Sequence, residues 1–82
     1  MVRVLYFSWI RERVGVNHEV IDTNAQTVRK LVEELKQRDE RYSFAFSDLS
    51  SVRVAIDQNM GDFESDITQA KEIALFPPMT GG

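Results

Sequence analysis

Hydrophobic and polar positions divide the chain into a few short elements. Val2, Val4, Tyr6 and Ser8 alternate with Arg3, Leu5, Phe7 and Trp9 in a stretch rich in branched and aromatic residues, which predicts a strand over residues 2–10. Both faces of that strand are largely apolar. It is therefore expected at the centre of its sheet, or with one face covered by another protein. Gly15 interrupts the pattern in a turn, and His18 to Asp22 reads as a second strand completing a hairpin.

The period then changes. Thr27 is placed to cap a helix in which Val28, Leu31, Val32 and Leu35 share one face, while Arg29, Lys30, Glu33, Glu34, Lys36 and Arg38 fill the other. This predicts one amphipathic helix of about three turns. Glu34 and Arg38 stand four apart in the favourable order, worth a few tenths of a kcal/mol. Tyr42, Phe44, Phe46 and Leu49 form an apolar cluster compatible with either a short helix or an irregular packed segment.

Val52, Val54 and Ile56 alternate with Arg53, Ala55 and Asp57, the pattern of a strand with one buried face, and residues 57–62 read as a turn or loop. In the last strand Ile73 and Leu75 point one way and Glu72, Ala74 and Phe76 the other. Pro77-Pro78 must stop it. The order of elements predicts an α+β fold, a mixed sheet packed on one main helix.

Composition narrows the function classes. At 82 residues the chain is expected to form one domain over residues 1–76 followed by an extended, flexible tail over residues 77–82. A domain this small hides about 60% of its unfolded surface, too little for a deep private cleft. A net charge of -3, with ten basic residues interleaved among thirteen acids, argues against nucleic acid as a partner. The absence of cysteine removes disulfides, thiolate metal sites and a cysteine nucleophile, and is compatible with the cytoplasm. The apolar N-terminus is too short to span a membrane.

Two of the four glycines are the last two residues. Gly81 and Gly82 lack side chains and can thread a passage too narrow for any Cβ, and Pro77 and Pro78 favour an extended exit. Six residues at roughly 3.3 Å each reach about 20 Å, enough to enter a neighbour's pocket. The terminal carboxylate, with a reference pKa of about 3.3–3.7, is a poor electrophile until a leaving group is attached. On these grounds alone the pair is either a frayed end or a working tail.

The opening Val4-Leu5-Tyr6-Phe7, the Arg11-Glu12 and Gly15 that follow, Thr27-Val28 and above all Glu72-Ile73-Ala74-Leu75-Phe76-Pro77-Pro78-Met79-Thr80-Gly81-Gly82 resemble the small subunits of molybdopterin synthases over nearly the whole chain. The resemblance implies a ubiquitin-like β-grasp fold. It also implies a role as sulfur carrier: an activating adenylyltransferase uses ATP to adenylate Gly82, a sulfur donor converts it to a thiocarboxylate, and the large synthase subunit receives the tail. Sulfur then passes to cyclic pyranopterin monophosphate, in a heterotetramer of two small and two large subunits whose acid-base groups belong to the large one. Gly82 is then the one residue changed by chemistry, Gly81 and Thr80 thread the channel, and this chain binds no cofactor or metal itself. Two departures from the family pattern fall in loops: Asp57 stands where related chains often carry Asn, and Gln69-Ala70-Lys71 where they carry an Asp-Gly-Asp-like turn.

The remaining polar residues read as structural. His18 has no cysteine or acid cluster nearby, and Glu33-Glu34 and the Asp62, Glu64, Asp66 alternation read as solvated surface. The outward apolar set Leu5, Phe7, Trp9, Ala74 and Phe76 carries more information. With first and last strands adjacent, Leu5, Phe7, Phe76, Pro77 and Pro78 would form a partner interface beside the tail's exit. Competing readings with the same tail chemistry are a carrier for thiamine synthesis or tRNA thiolation, and a protein modifier joined through Gly82 to lysines.

Overall fold

The computed structural model describes residues 1–78. Strand β1 (Val2–Tyr6) buries Val2, Val4 and Tyr6 and turns Arg3 and Leu5 to the opposite face. It stops well short of Ile10. Ser8 adopts a positive φ of 58° and helix α1 (Ser8–Val14) begins there, so the single strand expected over residues 2–10 is corrected to a strand followed by a helix. Ile10 and Val14, four apart and so one turn above the other on the same face of α1, are both fully buried. Gly15 ends α1 rather than merely turning a hairpin: at φ 97° its N–H donates to the Arg11 carbonyl, a left-handed cap that favours glycine.

Strand β2 (His18–Ile21) runs antiparallel to β1, pairing Val2 with Ile21 and Leu5 with His18, and ends one residue before the expected Asp22. In helix α2 (Val28–Arg38) the Thr27 hydroxyl accepts from the Lys30 N–H at 3.2 Å, and Val28, Leu31, Val32 and Leu35 are all buried. Each such side chain contributes about 1.5–3 kcal/mol when fully buried, so this face anchors the fold.

The ambiguous segment after α2 is helical. Asp39 caps α3 (Glu40–Ala45), its carboxylate accepting from the Arg41 N–H at 2.9 Å. Tyr42, Ala45 and Phe46 enter the core while Phe44 stays exposed. A 3-10 turn, Leu49–Ser51, leads into β3 (Arg53–Ile56).

The segment expected as a loop after Ile56 contains another strand. Asp57 and Gln58 have positive φ values of 50° and 71° and form a two-residue hairpin turn, after which β4 (Asn59–Gly61) pairs back onto β3. The Asp57 carboxylate accepts from the N–H groups of Lys71 and Glu72 at 3.0 and 2.9 Å, tying this turn to the start of β5 (Glu72–Phe76).

The five strands form one mixed sheet in the order β2-β1-β5-β3-β4, with β5 parallel to β1 and antiparallel to β3. Its inner face carries Val4, Tyr6, Val54, Ile73 and Leu75, which join Ile10, Val14, Leu31, Leu35 and Phe46 from the helical layer in one core. At the edge of that core the hydroxyls of Tyr6 and Tyr42 both donate to Glu19 Oε2. Among the described residues no buried side-chain nitrogen or oxygen lacks a partner.

Candidate docking face at the C-terminal exit

Register builds the site. On the outer face of the sheet Leu5 lies opposite Ala74, Ala74 opposite Ala55, and Ala55 opposite Met60, while Leu5 also faces His18 across the β1/β2 pair. The resulting row crosses the whole sheet and is apolar apart from the exposed His18 at its edge. One level nearer the exit stand Phe7 and Phe76. Phe7 is 44% exposed, a large fraction for a phenylalanine.

Leu5, Phe7, Ala74, Phe76, Pro77 and Pro78 line one open groove of about 570 Å³, with Glu72 on its lining as well. The structure therefore brings together the five residues that the sequence marks as a partner interface. Ile73 and Leu75 are fully buried and Phe76 is half-buried on the opposite side, as alternation requires. Trp9 does not belong to this set. Because α1 starts at Ser8, Trp9 lies on the other side of Pro77-Pro78, in a second groove of about 470 Å³ shared with Arg13, Asp48 and Ser51. The tail residues Thr80, Gly81 and Gly82 lie outside the described residues.

The groove also contains Ser8, Ala55 and Gln58, which sequence reasoning missed. Ala55 was legible in principle, since it shares the outward parity of Arg53 on β3. Gln58 was not, because its place depends on the tight turn that follows β3.

The candidate carboxylates have local structural work. Glu34 accepts from the Thr23 hydroxyl at 2.8 Å, and Glu64 pairs with Arg29. Asp62 accepts from the Glu64 N–H at 2.8 Å. Asp66 accepts from the Thr68 N–H at 2.9 Å, which holds its carboxyl below the usual carboxylate range. Among the described residues no group of histidine and acidic side chains could hold a metal ion, and no helix is long and apolar enough to cross a membrane.

Comparison with known proteins agrees with this architecture. The chain is 32% identical to the molybdopterin synthase sulfur carrier subunit of Escherichia coli and 34% identical to that of Haemophilus influenzae, in each case over 82 residues and the full length of both chains. A putative molybdopterin converting factor, subunit 1, from Pyrococcus furiosus superposes with a TM-score of 0.69 at 27% identity, covering 95% of this chain and 97% of that one. SAMP1 from Haloferax volcanii superposes with a TM-score of 0.76 at 22% identity over 99% and 98% of the two chains, a likeness of fold. The mixed sheet on its main helix is thus the ubiquitin-like β-grasp fold. With the ThiS family model matching residues 4–82 as well, this chain belongs to the ThiS family.

Proposed function

We propose that this protein is the sulfur carrier subunit of a molybdopterin synthase, working through its C-terminal carboxylate. The observation that carries the reading is the placement of Pro77 and Pro78: the central strand β5 ends at Phe76 and leaves the fold along the rim of an apolar groove, four residues before a Gly-Gly end. The names of the full-length relatives support the same role.

The chemistry follows from what a carboxylate lacks. The Gly82 carboxylate oxygen attacks the α-phosphorus of ATP on the activating enzyme, forming the glycyl adenylate and releasing pyrophosphate. A sulfide-equivalent donor then attacks the carbonyl carbon, AMP leaves with the bonding pair, and a thiocarboxylate remains. Cysteine is not needed, because the tail itself becomes the sulfur nucleophile. Docking through the Phe7 and Phe76 face to the large subunit brings the tail to the pterin precursor, where the thiocarboxylate sulfur attacks a side-chain carbon and an oxygen leaving group departs with the bonding pair; water then adds to the Gly82 acyl carbon and breaks its bond to sulfur, so that the sulfur stays on the pterin and Gly82 returns to a carboxylate. ATP is a substrate of the activating enzyme, and the resident groups that move protons belong to the large subunit.

The test is direct. After incubation with an activating enzyme, ATP and a sulfur donor, the intact mass should rise by one oxygen-for-sulfur exchange at Gly82, and the product should support pterin sulfuration by the large subunit. An unchanged mass under conditions that sulfurate a known carrier overturns the reading. Sulfuration without transfer to the pterin, but with transfer to a thiazole precursor or tRNA, reassigns the pathway, and an isopeptide bond to lysine makes the chain a modifier.

A further inference from the structure

Among the described residues four have a positive φ: Ser8, Gly15, Asp57 and Gln58. Three of them have a local reason. Gly15 lacks the side chain that the left-handed region penalises, and Asp57 and Gln58 form the tight turn between β3 and β4, which needs that geometry. Ser8, at φ 58°, has neither: it is not a glycine, it sits in no hairpin turn, and no side chain caps the start of α1. A backbone held in a sparsely populated region without local support is held by the packing around it, and such residues gather at functional sites. Ser8 lines the apolar sheet groove.

The neighbours of Ser8 record what the turn achieves. Phe7 is still extended, at φ -124° and ψ 152°, and its N–H donates to the Leu75 carbonyl at 3.1 Å, while its own carbonyl already accepts from the Ile10 N–H at 3.1 Å in the first turn of α1. The chain thus passes from strand to helix within one residue. In a continued strand Phe7 and Trp9 would share a face by alternation. Instead Phe7 lines the sheet groove and Trp9 the groove on the other side of Pro77-Pro78. Behind Phe7, Tyr6 is buried and its N–H donates to the Asn17 carbonyl at 2.9 Å, which fixes the register on that side.

We propose that Ser8 is a positioning residue for docking to the large subunit: its left-handed backbone, and not its hydroxyl, holds the Phe7 ring on the face that the partner covers. The inference rests on the sulfur-carrier reading. Residues that accept this geometry, glycine and asparagine, keep Phe7 in place. β-Branched residues crowd the backbone there, drive residue 8 towards an extended φ, and carry Phe7 and the start of α1 with it. A ring fixed before association loses less freedom on binding, so the gain is one of affinity.

The experiment compares the full-length chain with Ser8→Gly, Ser8→Asn, Ser8→Thr, Ser8→Val, Gly15→Val, Phe7→Ala and the Phe7→Ala/Ser8→Val double variant. Binding to the large subunit is measured well below every melting transition, and thermal unfolding is recorded for each. Ser8→Val and Ser8→Thr should weaken binding by about tenfold or more, although threonine keeps the hydroxyl, and Ser8→Gly and Ser8→Asn should stay within about threefold of wild type. Gly15→Val, strained at the other end of α1, should lower the melting temperature and leave binding unchanged. In the Phe7→Ala background Ser8→Val should cost about threefold or less, because the ring it acts through is gone. Wild-type binding in Ser8→Val and Ser8→Thr overturns the proposal, as does an equal loss in Gly15→Val, or losses from Ser8→Val and Phe7→Ala that simply multiply. Ser8→Gly and Ser8→Asn binding as weakly as Ser8→Val would give the work to the hydroxyl and overturn it too. Where Ser8→Val does not fold, Ser8→Thr takes its place in the double variant; should neither fold, residue 8 serves the fold and the proposal falls. Wild type that binds the large subunit keeps the sulfur-carrier reading through any of these results, and wild type that does not bind it removes both.

Discussion

The backbone N–H of Phe7 donates to the Leu75 carbonyl at 3.1 Å, carrying the parallel β1/β5 pairing one step past the end of β1. That bond is why Phe7 stands level with Phe76 beside the Pro-Pro exit instead of trailing into α1. Two aromatic side chains from opposite ends of the sequence thereby share one surface.

Phe76→Arg should break assembly with the large subunit and spare the fold. Burying a phenylalanine at an interface is worth roughly 1.5–3 kcal/mol and an unpaired charge adds desolvation, so binding should weaken by at least about one to two orders of magnitude. Titration calorimetry and thermal unfolding on the same variant check this. A collapsed melting temperature would instead place Phe76 in the core.

Deleting Gly82, or appending one residue after it, should abolish sulfur transfer and leave the circular dichroism spectrum unchanged, because the change lies six residues past Phe76, where the last strand ends. Turnover by an untrimmed extended chain would contradict a C-terminal mechanism. Intact mass before and after the reaction excludes trimming.

Gly15→Ala should destabilise the domain by about 1–2 kcal/mol, since an L side chain at the φ of 97° strains the cap of α1. In a domain this size each kcal/mol moves the melting temperature by roughly 4–8 °C. Gly15→Asn should lose less, because asparagine tolerates left-handed geometry. Equal melting temperatures for the three proteins would show that the cap contributes nothing.

Stability should fall in alkali. Burial, followed by the hydrogen bond to Glu19, raises Tyr42 to about 12 and pushes Tyr6 upward for the same reasons in the same order. Both phenols hold their protons more tightly folded than unfolded, so their contribution is complete below the ordinary tyrosine value of about 10 and is lost as pH rises from there towards the folded values. Urea midpoints between pH 8 and pH 11 should decline only above about pH 10, and Tyr42→Phe should soften the decline. A midpoint that stays flat to pH 11 in wild type contradicts this coupling.

Asp57→Asn should be nearly neutral and Asp57→Ala costly. Both residues leave the Lys71 and Glu72 N–H groups needing an acceptor, but only asparagine supplies an oxygen and accepts a φ of 50°. Loss of the two acceptor contacts should cost about 1–3 kcal/mol. Denaturant unfolding of the pair is the measurement.

The sequence by itself determined the elements whose side chains repeat with one clear period. Val28, Leu31, Val32 and Leu35 define α2 because helical spacing leaves them one buried face, and Ile73 and Leu75 define β5 because alternation does. The chemistry proposed for the Gly81-Gly82 end was likewise read from the sequence, because it depends on covalent structure and not on folding. Tertiary structure decided the rest. Residues from Val2 to Ile10 alternate well enough for a strand, yet the chain leaves the sheet after Tyr6 and packs Ile10 and Val14 against the core from α1, a gain that no local pattern weighs. β4 is three residues long with an exposed Asn59 and Met60, so only its pairing with β3 makes it a strand. The candidate docking face belongs to the same class: Leu5, Ala74, Ala55 and Met60 lie on four separate strands, and inter-strand hydrogen bonding, which sets register between distant segments, is what puts them in one row.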